Sequence, residues 1–181
     1  MRDAVVSAQP SPQPGSTDIQ GRAAKIRCLF LDIDGVMTDC KLYLTPDGEE
    51  IKAVNVRDGW GMKALMRQGV EVAVISGRPS AAMQKRLEWL GLRHVVLDTE
   101  IKLPAYERIR DALGLTDDQC AMVGDDVPDL PLLHRVGLAM CPADAHPKAR
   151  AAVHFVSSCR GGDGAIREAA DLILAAREVI A

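Results

Sequence analysis

The sequence predicts an α/β fold: a doubly wound, Rossmann-like parallel sheet with a small β-hairpin insertion and no cap domain. From residue 26 onward, short apolar runs alternate with segments of helical periodicity. The runs are continuously apolar rather than alternating, which is typical of strands whose two faces are both covered. Right-handed crossovers between such strands place helices on both faces of one sheet.

Six apolar runs are predicted as strands, at 26–32, 70–76, 93–97, 120–126, 138–141 and 154–156. Six segments are predicted as helices from their apolar spacing and their Gly and Pro boundaries, at 59–69, 79–91, 103–114, 127–137, 144–152 and 163–180. Residues 41–56 predict a hairpin, because two strand-like segments flank Thr45-Pro46-Asp47-Gly48. Residues 116–119 resemble a capping box, but a short turn before the strand is the simpler interpretation.

Residues 1–22 are predicted to be a disordered tail, and residues 23–181 a single folded domain. The tail is rich in Pro, Ser, Gln and Gly, so it has little apolar surface to offset the entropy of ordering. It also lacks the apolar centre of a signal peptide. No run of about 18 apolar residues occurs, so no membrane span is expected.

Charge and composition narrow the possible partners. The net charge is -3 and only six residues are aromatic, which argues against a nucleic-acid partner. The five cysteines are odd in number and have no C-x-x-C spacing, which predicts reduced thiols in a cytoplasmic protein.

Two aspartates, Asp32 and Asp34, follow the first predicted strand, with Gly35 behind them. Such a pair can simply form a turn. Two carboxylates this close repel each other unless a proton or a cation lies between them. Oxygen ligands at a strand end suit Mg²⁺, so the pair predicts a metal site.

A second acidic cluster, Asp125, Asp126 and Asp129, follows the strand at 120–126. Alone, it could be an acidic helix start favoured by the helix dipole. Because parallel strands end at one edge of the sheet, both clusters are expected to meet there. Together they predict an acidic site that needs a cation.

Ser76, Gly77 and Arg78 follow another strand, and Lys102 precedes a helix. Ser76 could be a helix N-cap, while its hydroxyl and the backbone N–H groups beside it could bind an anion. Lys102 taken alone predicts a solvated side chain.

Four stretches in this order resemble the haloacid dehalogenase superfamily of phosphatases: DIDGVMTD (32–39), ISGR (75–78), Lys102 and GDDVPDL (124–130). The resemblance extends over about residues 26–180. It implies that Asp32 is a nucleophile that becomes an aspartyl phosphate. It also implies that Asp34 acts as general acid and then as general base.

The same resemblance implies the remaining roles. Mg²⁺ would be held by the Asp32 carboxylate, the Asp34 backbone carbonyl and Asp125. Ser76 and Lys102 would hold the phosphoryl oxygens. Two further carboxylates would orient the metal waters or Lys102; these are Asp126 and Asp129.

No interval in the chain is long enough for a cap domain, the additional domain that closes over the site in many members of this superfamily. The hairpin and a helix occupy the 41 residues between Asp34 and Ser76, and a helix and a strand occupy the 25 between Ser76 and Lys102. The segments 48–65 and 161–170 resemble a capless subgroup, the 3-deoxy-D-manno-octulosonate 8-phosphate phosphatases of lipopolysaccharide synthesis. That resemblance implies a homotetramer in which a neighbouring subunit's hairpin and tail help to cover the site.

Arg57 and Arg78 are candidates for the carboxylate or the phosphate of a sugar-acid phosphate, since a planar guanidinium suits both. Each could equally be structural, Arg57 as an exposed hairpin residue and Arg78 as a helix-start residue. Residues 161–164 could be a plain flexible loop or a mobile segment that reaches a site.

One departure bears on the substrate. The subgroup typically has a Gln-Gly pair and an Asp before the lysine, where this chain has Leu97-Asp98 and Ile101. The related acylneuraminate 9-phosphate phosphatases, or another sugar phosphatase on this fold, are therefore the first alternative. A phosphate-binding scaffold and a phospho-receiver domain are the non-enzyme alternatives.

Overall fold

The apolar runs form a six-stranded parallel sheet in the computed structural model, which describes residues 18–178. Its strands are β1 (Cys28–Leu31), β4 (Glu71–Ile75), β5 (His94–Val96), β6 (Cys120–Val123), β7 (Leu138–Cys141) and β8 (Phe155–Val156). Their order across the sheet is β5-β4-β1-β6-β7-β8, and every pair is parallel. The predicted doubly wound α/β fold is confirmed.

Within the described residues, seven α-helices cover the two faces of the sheet: α1 (Ile19–Ala24), α2 (Val56–Arg67), α3 (Ala81–Leu90), α4 (Lys102–Ala112), α5 (Leu130–Leu133), α6 (Pro147–Ala152) and α7 (Ala165–Glu178). Side chains alternate along β1, so Leu29 and Leu31 join one core cluster while Cys28 and Phe30 join the other. The first cluster is completed by α1, α2, α3 and α7, and the second by α4, α5 and α6.

Strand β1 lies at the point where the strand order reverses. Leu31, its last residue, pairs with Val74 of β4 on one side and Val123 of β6 on the other. Crevices for ligands in such sheets open at the carboxyl ends of the strands beside this point. The loops after β1, β4 and β6 therefore share one edge.

The N-terminal boundary of the domain differs from the prediction. Helix α1 begins at Ile19, inside the residues 1–22 that the composition assigned to a disordered tail, and ends at Ala24. Its N-cap is Asp18, whose side chain accepts a hydrogen bond from the Gly21 amide at 2.7 Å. Buried Ala23 joins the core, and Ile19 and Ala24 pack against it, so tertiary contacts anchor a helix of low hydrophobicity. Residues 1–17 lie outside the described part of the chain.

The predicted hairpin is confirmed, but it is shorter than 41–56. Its strands are β2 (Tyr43–Leu44) and β3 (Glu50–Ile51), paired antiparallel. Helix α2 begins at Val56, and Asn55 is its N-cap, because the Asn55 side chain accepts a hydrogen bond from the Arg57 amide. Arg57 is therefore a helical residue and not a hairpin residue.

Two other segments differ in detail from the prediction. The helix predicted at 127–137 is a 3-10 turn, Val127–Asp129, followed by the short α5. Each carries a proline in its first turn, where the missing N–H costs no hydrogen bond. Residues 117–119 form one 3-10 turn that does contain the capping box. The other strands and helices are confirmed, with ends shifted by a few residues.

Helix α2 is joined to α7 by a buried polar contact. Asp58, which is 2% exposed, accepts a hydrogen bond at 2.8 Å from the Arg167 amide in the first turn of α7. At Gly61, a Cβ would lie 3.1 Å from the Ala170 Cβ, so the glycine lets the two helices approach closely. None of the helices in residues 18–178 combines the length and apolarity required to cross a bilayer.

We predict that Asp58→Ala lowers the free energy of unfolding by about 1–3 kcal/mol, because it leaves the buried Arg167 amide without an acceptor. Asp171→Ala is the matched control: Asp171 pairs with the exposed guanidinium of the same Arg167 at 2.8 Å. We expect Asp171→Ala to lower the free energy of unfolding by less than about 0.5 kcal/mol. Urea unfolding of both variants makes the comparison, and equal losses would contradict this role for Asp58.

Candidate active site

The loop after β1 turns sharply to carry Asp32 and Asp34. The carbonyl of Ile33 accepts hydrogen bonds from the amides of residues 36–38. Gly35 has φ +92°, and a Cβ there would overlap the carboxylate of Asp125. Only glycine meets both requirements, so the residue after the two aspartates allows the loops of β1 and β6 to touch.

Lys102 joins the two acidic clusters. Its ammonium lies 2.9 Å from Asp32 Oδ1 and 2.7 Å from Asp129 Oδ1, and the residue is only 4% exposed. Burial alone would lower the pKa of Lys102, but the charges of the two aspartates outweigh it and hold that pKa above its usual value. The lysine is therefore a buried cation and not the solvated side chain that it suggests in isolation.

Three carboxylates surround this one ammonium: Asp32, Asp125 and Asp129 each have an oxygen within 4.8 Å of the others. Burial, followed by the charge of Asp32, raises the pKa of Asp125 to about 8. Burial, followed by the charge of Asp129, raises the pKa of Asp32 to about 6. The cluster has more negative charge than Lys102 can balance, so a further cation stabilises it.

The donor set fits Mg²⁺. Asp125 Oδ1 is buried and has no hydrogen-bond partner, which leaves it free to be a ligand. Asp129 is different, because Oδ1 bonds Lys102 and Oδ2 accepts the Asp125 amide at 2.9 Å. The geometry therefore favours Asp32 and Asp125 as side-chain ligands and Asp129 as a group that orients them. Asp126 is exposed and accepts from the Val127 amide at 2.7 Å, as the cap of a 3-10 turn.

The aspartate clusters open onto a cavity of about 590 Å³. Its lining residues come from the ends of β1, β4 and β6 and from the loops around them: Asp32, Asp34, Cys40, Leu42, Ser76, Gly77, Arg78, Glu100, Lys102, Asp125, Asp126, Pro128 and Asp129. Every predicted site residue except Arg57 is in this set. Arg57 lies in the first turn of α2, outside the described residues that line the cavity.

Ser76 is buried at the end of β4 and is not a helix N-cap. Helix α3 begins at Ala81, and its N-cap is Ser80, which accepts a hydrogen bond from the Met83 amide at 3.3 Å. Ser76 Oγ instead receives only a long contact from the Arg78 amide, at 3.4 Å. Ser76 lines the cavity, so its hydroxyl stays a candidate for binding an anion.

Sequence reasoning missed Lys52, whose ammonium pairs with Asp34 Oδ1. Glu50 lies beside it, with a carboxylate oxygen 3.7 Å from the Lys52 ammonium and another 3.4 Å from Arg78. The sequence signal that could have indicated Lys52 was the alternation of side chains along the second hairpin segment. Residues 50 and 52 lie on one face of that segment and Ile51 on the other.

Residues 161–164 support the Asp32 loop from behind. The Gly162 amide donates to the Val36 carbonyl at 3.0 Å, and a Cβ on Gly161 would overlap the Gly35 carbonyl. Asp98, in the loop before Lys102, has φ +62°. Asp tolerates this left-handed conformation better than most residues, so the turn forms there without glycine.

Three comparisons relate this chain to known proteins. A sequence model described as "haloacid dehalogenase-like hydrolase" matches residues 61–137, which include Ser76, Lys102 and Asp125. The chain is 42% identical over 165 residues to a protein of Yersinia pestis described as "3-deoxy-D-manno-octulosonate 8-phosphate phosphatase KdsC", covering 91% of this chain and 88% of the relative. The crystal structure of the enzyme of that name from Yersinia pestis superposes with a TM-score of 0.88, covering 90% and 88% of the two chains.

A second solved structure carries ligands. It is the 3-deoxy-D-manno-octulosonate 8-phosphate phosphatase of Moraxella catarrhalis, in complex with a magnesium ion, a phosphate ion and a KDO molecule. It is 34% identical, has a TM-score of 0.87, and covers 89% of this chain and 92% of its own.

We predict that Mg²⁺ stabilises the protein more at high pH. The raised pKa values of Asp32 and Asp125 mean that, without metal, their contribution to stability is present below about pH 4 and is lost as pH rises through about 6 and then about 8. Mg²⁺ needs both groups ionised. Melting temperatures with chelator and with Mg²⁺ should therefore diverge between about pH 5 and about pH 8.

Asp125→Asn is the control. It should remove most of the Mg²⁺-dependent increase in melting temperature at the upper end of this pH range. An increase that is equal at both ends of the range would show that these carboxylates do not compete with protons for the metal.

Proposed function

The chain belongs to the haloacid dehalogenase-like hydrolases, in the family of the 3-deoxy-D-manno-octulosonate 8-phosphate phosphatases, and we propose that it hydrolyses the phosphate ester of that sugar acid with Mg²⁺. It is thus a phosphoric monoester hydrolase. The observation that carries the proposal is the buried group formed by Lys102 with Asp32, Asp125 and Asp129, at the edge of the sheet where ligands bind.

Asp32 is the nucleophile in this proposal. A carboxylate oxygen attacks phosphorus in line, the bond from phosphorus to the sugar oxygen breaks, and Asp34 donates a proton to that leaving oxygen. Asp34 then takes a proton from the water that attacks the aspartyl phosphate, which releases inorganic phosphate and restores Asp32. Asp32, Asp125 and the Asp34 carbonyl would hold Mg²⁺, which would neutralise charge on the phosphoryl oxygens.

Lys102 has two functions in this scheme. Its ammonium fixes the Asp32 carboxylate at 2.9 Å and adds a positive charge next to the transferred group. Ser76 and Gly77, at the end of β4, supply a hydroxyl and a backbone amide for the phosphoryl oxygens on the other side. Asp129 holds Lys102, and its second oxygen fixes the backbone of Asp125.

Arg78, half-exposed at the cavity rim, is the proposed contact for the carboxylate of the sugar acid. Arg57 keeps this role only as a sequence-based proposal. The departures at Leu97, Asp98 and Ile101 lie in the loop before Lys102, and exposed Glu100 of the same loop lines the cavity. These differences from the subgroup, in a loop that borders the cavity, favour one second candidate, an acylneuraminate 9-phosphate phosphatase.

We further propose a homotetramer in the cytoplasm, acting in lipopolysaccharide synthesis. Large apolar side chains are exposed on the hairpin and on the adjoining helices, among them Leu44 at 65% and Trp89 at 68%. Exposed side chains of this size are typical of surfaces that bind another chain. All five cysteines are free, which suits a reducing compartment.

A panel of sugar phosphates assayed with Mg²⁺ tests the function. We expect the highest kcat/KM for 3-deoxy-D-manno-octulosonate 8-phosphate, with lower values for acylneuraminate 9-phosphates and neutral sugar phosphates. A preference for the acylneuraminate ester would transfer the assignment to the second candidate. No turnover of any phosphate ester, including p-nitrophenyl phosphate, would favour the scaffold or phospho-receiver alternatives.

Two variants assign the roles in the same assay. Asp32→Asn should reduce turnover to background, because an amide cannot form the acyl phosphate. Asp34→Asn should lower kcat by about 10²–10⁴-fold, the usual contribution of a positioned acid, with Mg²⁺ binding kept. Substantial activity in the first variant would remove Asp32 from the nucleophile role.

Light scattering tests the assembly. The expected mass is four times that of the 19.5 kDa chain. Leu44→Glu should lower that mass, because it places a charge on the exposed hairpin surface. A wild-type mass equal to one chain would contradict the tetramer.

A further inference from the structure

The hairpin reaches the proposed general acid through a buried ion pair. The Lys52 side chain is 2% exposed, and its ammonium contacts Asp34 Oδ1. Within residues 18–178, Lys52 is the only basic side chain paired with Asp34. A lysine side chain is rarely buried to this extent unless it is paired with carboxylates, as Lys52 is with Asp34 and Glu50.

A second set of contacts fixes Lys52 itself. Glu50 precedes it by two residues on the same face of the hairpin, with its carboxylate 3.7 Å from the Lys52 ammonium. The Ser80 hydroxyl donates to Glu50 Oε1 at 2.8 Å, and Arg78 approaches Glu50 Oε2 at 3.4 Å. The start of α3 and the loop after β4 thus hold the hairpin, and the hairpin holds Asp34.

We propose that Lys52 is a positioning residue for Asp34, which sets the direction in which the Asp34 carboxyl meets the leaving oxygen. The proposal rests on the assignment of Asp34 as general acid. The loop after β1 places Asp34 by its backbone, while its side chain has no described partner besides Lys52. Without that partner, the carboxyl group would sample several rotamers, and misplacement of a reacting group by about 1 Å can cost about 10²-fold in rate.

The dependence of kcat on the leaving group distinguishes a loss of Asp34 positioning from a general loss of activity. An alkoxide leaving from a sugar phosphate needs the proton, whereas p-nitrophenolate is stable enough to leave without it. Lys52→Met keeps the bulk of the side chain and removes its charge. We expect kcat for the sugar-acid phosphate to fall about 10- to 100-fold. The value for p-nitrophenyl phosphate should change less than about threefold.

Lys41→Met is the matched control: Lys41 is in the stem of the same hairpin, pairs with Asp39 and is 69% exposed. It should leave both rates and their ratio unchanged. If Lys52→Met does not fold, as judged by its melting temperature, Lys52→Arg provides the same test, because its longer planar group cannot take the position of the ammonium.

Equal losses for both substrates would overturn the proposal, and would show that Lys52 binds the phosphate or supports the fold. An unchanged ratio with unchanged rates would overturn it as well. The wild-type enzyme separates these outcomes from a failure of the proposed function, because it must first turn over both esters, and Asp34→Asn must show the same selective loss.

Discussion

One constraint governs this structure: the carboxylates of Asp32, Asp125 and Asp129 are packed together at the carboxyl ends of β1 and β6, with only the Lys102 ammonium to balance them. Asp32 and Asp129 share Lys102, while Asp125 keeps an oxygen without a partner. Taken alone, the arrangement stores unfavourable electrostatic energy, because buried like charges repel strongly in a medium of low polarity. Because of this repulsion, a divalent cation binds strongly at this end of the sheet. A group that arrives together with the cation binds there as well.

Much of this site was accessible from the sequence because strand ends are easy to locate. Apolar runs stop at Asp32, Ser76 and Asp125, and parallel strands bring such ends to one edge. The place of Lys102 in the site followed only from the family resemblance, since nothing local distinguishes this lysine from a solvated one, and its pairing with Asp32 was not predicted. Lys52 escaped notice because its role depends on where a two-residue strand folds back, and chain-local patterns do not specify that.

The errors in the fold have a common physical origin. Helix α1 is stabilised by one cap and by burial of Ala23 against distant elements, so its composition alone resembles a tail. The start of α2 was missed because Asn55 follows an alternating segment and was counted with the hairpin. The helix at 127–137 was divided by prolines that each fit a separate first turn. In each case a cap or a tertiary contact overrode the periodicity.

The close contact of Gly161 and Gly162 with the Asp32 loop has a further consequence. The backbone of the Asp32 loop occupies the space that a Cβ at either glycine would need, so a larger residue at 161 or 162 would displace the loop that carries the aspartates. On the other side, the cavity is bordered by Cys40 and Leu42 in the stem of the hairpin. Small-molecule inhibitors that extend from the aspartates toward this stem would contact hairpin side chains, so their selectivity would depend on those side chains as well as on the aspartates.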